Sequence, residues 1–403
     1  MARQMKESGI DWIGRIPNEW HLAQLKRFVT VNNGREILEE IDKSDDAIPV
    51  YGSGGIFKYT SSYLYDGIAV LFGRKGTLGK PIMTNGKIWV VDTMYYLTYS
   101  PELDPKFNYF QLQCFDWVPH ITQTALPSIV ASEIVSCSFA FPPLWEQKKI
   151  ASFLEAELAK IDIVQRNTRF AIDEYKRLRQ SIIAEAVTKG IQRNRQMKPS
   201  GIDWIGKLPA DWKVQRGKHL FVETNERSID GHEELLTVSH ITGVTPRSMK
   251  NVNMFMAESL VDYKVCHIGD LAANTMWMWQ GAIGVSKYEG VISPSYNTYR
   301  QRNNSYYYGY LEYLLRIPNL VATYAAYSTG ITASRLRLYP DQFFSIMFPV
   351  PPMSEQKEIA DYLDKKCAEI ETLISKKAAL LEELENYKKS LIYEYVTGKK
   401  EVQ

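Results

Sequence analysis

Residues 142–190 and 351–399 align without a gap at a constant spacing of 209 positions. They run from PPLWEQKKI against PPMSEQKEI to SIIAEAVTKG against SLIYEYVTGK. Each stretch opens on a proline pair that ends a preceding strand and carries Glu146 or Glu355 in its first turn, where negative charge suits the helix dipole. Each then runs without internal Pro or Gly to a stop signal at Gly190 or Gly398. The pattern predicts two helices of about 43 residues, each roughly 65 Å long at 1.5 Å per residue. That length greatly exceeds a typical globular helix.

Apolar residues recur at heptad spacing along both stretches. Leu154, Ile161, Tyr175 and Ile182 mark one seam line of the first, with Ile150, Val164 and Leu178 as the second line. In the other copy the lines read Leu363, Ile370, Leu384 and Leu391, with Ile359, Leu373, Leu380 and Tyr387, and Thr168 and Lys377 interrupt the seam at matching positions. A long helix with one apolar stripe needs a partner, and the other copy is the obvious one. The alternative is that each helix packs only on its own domain.

A second element is duplicated. SGIDWIGRIPNEW (8–20) and SGIDWIGKLPADW (200–212) share nine of thirteen positions. The second box follows the first helix by about ten residues, so the second globular segment starts at that helix's far end. If the helices pair, they run antiparallel, which brings the two termini together. The expected fold class is therefore α/β (α+β): two mixed α/β domains separated by an antiparallel coiled coil, with pseudo-twofold symmetry. The expected boundaries are 1–141 (first box and domain), 142–190 (central helix), 191–350 (second box and domain) and 351–403 (C-terminal helix).

The globular segments, roughly 21–141 and 213–350, differ in sequence. Fragments still correspond: DGIAVLFGRKGTLGKP (66–81) and GDLAANTMWMWQGAIGVS (269–286) each place an apolar strand before a G-x-x-G turn, and WVVDTMYYL (89–97) and SPSYNTYRQ (293–301) read as a neighbouring strand. Two shared frames hold two divergent inserts. That suits a molecule making the same kind of contact twice with different targets.

Residues able to carry catalysis are not arranged for it. GRKGTLGK (73–80) has one residue too many between its glycines for a phosphate loop, and Pro81 stands where Ser or Thr is required. YGSGG (51–55) lacks dinucleotide-binding spacing, and the six histidines are scattered. The Asn-Pro-Pro-aromatic tetrapeptide of adenine methyltransferases is absent, and FPP (141–143) lacks the amide and aromatic that hold a flipped adenine. Four cysteines without a CxxC pair imply reduced thiols and no metal site. A net charge of +2 argues against a loose, purely electrostatic nucleic-acid binder, though not against a locally basic groove. No run approaches the length of a membrane span, so a cytoplasmic protein without membrane contact is expected.

The paired boxes, the paired EQK helices and the two variable segments together resemble a Type I restriction-modification specificity subunit over essentially the whole chain. The resemblance implies that each variable segment is a target-recognition domain reading one half of a split site in double-stranded DNA. It also implies that helices and boxes dock two adenine-methylating modification subunits, that restriction subunits join, and that S-adenosylmethionine, ATP and Mg belong to those partners, leaving this chain no cofactor of its own.

Candidate DNA contacts lie on loops. In the first segment they are Tyr51 and Ser53, then Arg74, Lys75, Thr77 and Lys80 around a glycine-flanked turn where backbone can approach a phosphate. In the second they are Asn274, Trp277, Trp279 and Gln280 before the equivalent turn and Lys287 after it. Trp277 and Trp279 on one strand face also fit a core role. Trp12, Trp20, Trp204 and Trp212 are candidate packing or partner-docking anchors. Two other readings stay open: a coiled-coil scaffold binding only proteins, and a DNA-modifying enzyme.

Overall fold

The structure is a computed structural model that describes residues 3–192, 194–250, 259–330 and 336–402. The chain forms two compact units, one of Met1–Arg169 with Ala378–Gln403 and one of Phe170–Lys377. The division falls inside the two long helices, Leu144–Lys189 and Met353–Val396. It does not follow the 141/142 and 350/351 boundaries of the repeat, because the two ends of each helix pack into different cores. Ile150, Leu154 and Leu158 are buried with Leu391, Ile392 and Val396 in the first unit. Ala186 and Val187 are buried with Ile359 and Leu363 in the second.

Within each unit the variable segment hangs from a two-stranded neck. In the first, His21–Gln24 pairs antiparallel with Ser138–Phe141. In the second, Lys213–Arg216 pairs antiparallel with Met347–Val350. Beyond the neck the first unit carries a sheet in the order Val29–Asn33, Met94–Tyr99, Ala69–Gly73, Ile82–Thr84, and the second carries Phe221–Thr224, Asn297–Gln301, Leu271–Ala273, Ile283–Val285. All pairings in both are antiparallel. The sheet was thus duplicated too, although its sequence similarity has largely worn away. The rest diverges. The first unit adds a sheet in which Ile48–Gly52 runs parallel to Lys87–Val90, while the second adds two antiparallel hairpins, Leu236–Ser239 with Gly243–Pro246 and Lys264–Cys266 with Gly290–Ile292.

The EQ dipeptide at each helix start locks the frame. Glu146 is buried and accepts a hydrogen bond from Trp20 Nε1 (3.3 Å) and two from Arg3 (2.6 and 3.0 Å). Glu355 repeats this with Trp212 Nε1 (2.8 Å) and Arg195. In both units the guanidinium also stands over the indole, 5.8 and 5.9 Å from the ring centre. The hydrogen bond to Glu146 outweighs burial and holds the Arg3 guanidinium above its usual pKa. Gln147 accepts from the Asp104 N–H (2.9 Å) and donates to the Pro142 carbonyl (3.0 Å). Gln356 does the same with Tyr307 N–H (2.7 Å) and the Pro351 carbonyl (2.9 Å). One dipeptide therefore ties box, insert and helix together. The stop signals behave as expected: Gly190 (φ 76°) and Gly398 (φ 69°) adopt the left-handed conformation past the last turn.

The first seam line is inside: Leu154, Ile161, Leu363, Ile370 and Leu391 are buried, and Tyr175, Ile182 and Leu384 half-buried. The second line departs from expectation. Ile150 and Ile359 are buried, but Val164, Leu178, Leu373, Leu380 and Tyr387 are 38–55% exposed. A strict heptad line drifts about 20° per repeat around an ordinary α-helix, so it leaves the contact face within a few turns. Gln165 and Thr168 turn inward instead. In the first unit Asp162 meets Lys388 (2.6 Å) and Gln165 meets Glu385 (3.3 Å); in the second, Arg179 meets Glu371 (2.7 Å).

Candidate functional site

In the first unit three loops converge at one end of the duplicated sheet. The loop after Ala69–Gly73 carries Arg74 and Lys75, whose N–H groups both donate to the Thr93 carbonyl (2.8 and 3.2 Å). Both side chains are exposed and without a partner among the described residues. Gly76 (φ 83°) lets the chain reverse, and the Thr77 N–H donates to Ser53 Oγ (3.2 Å), which ties the VYGSGG turn to this loop. The positive φ strains any other residue here, and a Cβ on Gly76 would stand 2.7 Å from that same oxygen, pushing Ser53 off its bond to Thr77. Gly79 (φ 68°) rests against the buried Trp117 ring. Ser53, Arg74, Lys75 and Thr77 are thus brought together.

Tyr51 is not part of this cluster. It is half-buried against the apolar group that includes Ile88 and Val90, and burial raises its pKa. Lys80 is exposed and lines a groove of about 550 Å³ with Lys388, Lys389 and Gln113, all within the first unit. Lys388 there is paired with Asp162.

The equivalent loop of the second unit has another chemistry. Trp277 and Trp279 stack with centroids 6.2 Å apart at 15°. Trp277 is 48% exposed, against the core role that an alternating strand face suggested, because the strand ends at Ala273 and Trp277 falls in the turn that leads into the 3-10 helix Met278–Gln280. Trp279 is half-buried, with its Nε1–H spent on the Met276 carbonyl (3.1 Å). Gln280 is half-buried and Lys287 exposed. Asn274 is buried: its Nδ2 donates to Tyr296 OH (2.8 Å) and its Oδ1 accepts from the Met276 N–H (3.2 Å). Both ends of the amide are occupied in shaping the turn, so Asn274 builds the loop and does not face a ligand.

Lys287 borders a cavity of about 510 Å³ with Tyr308, Glu312 and Arg316. Burial pushes the Glu312 pKa up, opposed by Arg316 and by the Val285 N–H, which donates to it at 2.7 Å. Among the described residues no group of His, Cys, Asp or Glu is placed to hold a metal ion, and no helix is long and apolar enough to cross a membrane.

Two of the tryptophan anchors lie inside. Trp20 and Trp212 are almost fully buried and hydrogen-bonded to Glu146 and Glu355, which gives them an internal clasping role and leaves no ring face for a partner. Trp12 is half-buried, edge-on to Phe115 and Phe139. Trp204 is half-buried and lines an open groove of about 710 Å³ with Pro318, Ala322 and Met347.

Sequence spacing missed the third loop, a hairpin between Ile121 and Ile129. Its Ile129 N–H donates to the Arg74 carbonyl (3.0 Å), and Ser128 bridges to Lys75. The only sequence signal for it is the run TQTALPS, polar and proline-bearing between apolar residues.

Comparisons with known proteins give this geometry a setting. The model of a family described as a Type I restriction modification DNA specificity domain matches residues 17–170 and 244–383, well over half of the chain. A Haemophilus influenzae protein provisionally named a type I restriction enzyme specificity subunit is 21% identical over 341 residues, covering 83% of this chain and 84% of that protein. The Type I restriction enzyme MjaVIII specificity subunit of Methanocaldococcus jannaschii is 23% identical over 237 residues, 51% of this chain and 50% of that protein.

Among solved structures, one chain comes from work on complex assembly and conformational transition of the type I R-M system. It superposes with a TM-score of 0.71 at 15% identity, covering 96% of this chain and 99% of that one. The HsdS subunit from Thermoanaerobacter tengcongensis gives 0.53 at 16% identity, covering 98% and 100%. At these identities the likeness speaks for the fold.

Proposed function

Since the chain belongs to the family of Type I restriction-modification DNA specificity domains, we propose that it is the non-catalytic specificity subunit of such a system, each unit reading one half of a bipartite DNA target. One observation carries this reading. The same sheet and the same Glu–Arg–Trp frame recur in both units, yet the loop between the matched strands presents Arg74 and Lys75 in one and Trp277 and Trp279 in the other. A repeated frame carrying different loops suits contact with two different half-sites, since such loops supply both the backbone contacts that position a unit and the base contacts that read its half.

The long helices, on this reading, pair as an antiparallel coiled coil with pseudo-twofold symmetry and set the distance between half-sites. Their exposed apolar residues, Val164 and Tyr387 in the first unit and Leu178 and Leu373 in the second, suit docking of two adenine-methylating modification subunits, with Trp12 and Trp204 as further anchors. Restriction subunits complete the assembly in the cytoplasm. S-adenosylmethionine, ATP and Mg act on the partners.

Single-molecule sequencing of methylated adenines, in cells expressing this chain with its modification subunit, tests the reading. The expected result is one asymmetric motif with unspecified base pairs between two specified halves. No new adenine methylation, or a single undivided motif, would count against it.

The assembled complex also offers a salt test. Arg74 and Lys75 are assigned here to phosphates, so the double change to alanine should weaken binding about equally on all sequences. It should reduce the slope of log affinity against log salt by about 2. An unchanged slope would remove these two side chains from the backbone contact.

A further inference from the structure

The hairpin between Ile121 and Ile129 is held more firmly than its exposure suggests. The Thr122 N–H donates to the Ser128 carbonyl (2.9 Å), the Ser128 N–H donates to Thr122 Oγ1 (3.0 Å), and the two hydroxyls meet at 3.0 Å. At the tip, Thr124 Oγ1 donates to the Leu126 carbonyl (2.9 Å). Every hydroxyl of the hairpin is therefore spent on the hairpin itself. Gln123 is exposed, and its amide has no partner among the described residues. Leu126, on the same tip, is 61% exposed. The hairpin's base is bonded to Arg74 and Lys75, so its tip stands on the same surface as the two free cations.

The second unit repeats the attachment. Leu338 N–H donates to the Thr275 carbonyl (3.4 Å), as Ile129 does to Arg74, and Thr329 and Arg337 close the stem with two reciprocal bonds of 2.9 Å. Residues 331–335, between the closing pair in sequence, lie outside the described residues. The stem is kept in the same place while the sequence and length between the closing pairs differ: residues 123–127 in one and 330–336 in the other. A shared stem that closes segments of different sequence and length has no value to the core. It has value on a surface that must differ between units.

We infer that the Ile121–Ile129 hairpin is a base-reading loop of the first unit and that Gln123 is its specificity-determining residue. This rests on the DNA-specificity reading above. A free carboxamide offers one donor and one acceptor side by side, the pair that matches N7 and N6–H₂ on the major-groove edge of adenine. Leu126 adds an apolar contact of the kind a thymine methyl accepts. Arg74 and Lys75, one hydrogen bond away, fix the backbone register from which the tip reads.

The test compares wild type, Gln123→Ala and Gln123→Glu in the complex with the modification subunit, read by adenine-methylation sequencing and by melting of the purified complexes. Because the tip is exposed, melting should be unchanged. Gln123→Ala should relax one A·T position of one half-site, with discrimination there falling roughly tenfold to a hundredfold, while the other half-site keeps its sequence. Gln123→Glu removes the donor and should disfavour adenine at that same position. If wild type methylates a bipartite motif and both variants methylate that identical motif with undiminished discrimination, this inference fails and the specificity reading survives. If wild type yields no bipartite motif, both fail together.

Discussion

Replacing Glu355 with alanine should cost the second unit about 3–5 kcal/mol, the usual loss when one member of a buried ion pair is removed. For a unit of this size that corresponds to a fall in Tm of roughly 6–20 °C. The reason lies in what is left behind. Trp212 is almost fully buried, and its Nε1–H would lose its acceptor at 2.8 Å. Arg195, only 15% exposed, would keep Asp211 (2.7 Å) but lose its inner carboxylate. Glu355→Gln keeps an oxygen for the indole and removes only the charge, so its loss should be clearly smaller. The cycle with Arg195→Ala isolates the coupling. Glu146→Ala should act in the same direction on the first unit, but less strongly, because its indole bond is longer at 3.3 Å. A Glu355→Ala protein melting within about 2 °C of wild type would show that the duplicated carboxylate is not the clasp described above.

The long helices were legible because a long, helix-period apolar stripe free of Pro and Gly favours a helix, and because proline pairs and glycines bracket them. Legibility ended where spacing stops constraining direction. Val164 and Tyr387 fit a heptad on paper, but helical drift carries them to the surface, while the polar Gln165 and Thr168 turn inward. The boxes were legible as a repeat, yet tryptophan in a duplicated motif is equally consistent with a partner's surface and with the chain's own core. Only the buried carboxylate opposite Trp20 and Trp212 decides between them.

Candidate contacts divided along the same line. The surface position of Arg74 and Lys75 was readable from their glycine-flanked turn, since such a turn lies at a surface. Asn274 was not, because a side chain that builds a turn and one that reads a base have the same composition; its two internal hydrogen bonds separate the cases. The Ile121–Ile129 hairpin left almost no trace in the sequence. Its place is set by backbone hydrogen bonds to residues far along the chain, which no local pattern encodes.

Exchange of residues 21–141 for the matching segment of a relative should replace one half of the DNA target and leave the other intact. The cut points are favourable for a structural reason. His21 lies opposite Phe141, and Gln24 opposite Ser138, so both ends of the segment emerge side by side from one antiparallel neck. The frame grips the insert partly through backbone, since Gln147 takes the N–H of Asp104 whatever side chain that position carries, and partly through aromatic packing of Trp12 on Phe115 and Phe139 and of Trp20 on Phe107. An insert with the same neck and matching aromatics at those three positions can therefore seat without disturbing Glu146, Arg3 or Trp20. Each mismatched base pair costs about 1–3 kcal/mol, so a change at only two pairs should discriminate against the former half-site by roughly 30-fold to more than 10,000-fold. Methylome mapping of cells expressing the exchanged chain reads both halves at once, and the unaltered half reports that the complex has assembled. Should both halves change together, or neither, independent reading by two units is wrong, and the duplicated frame must serve some other purpose than holding two separable readers.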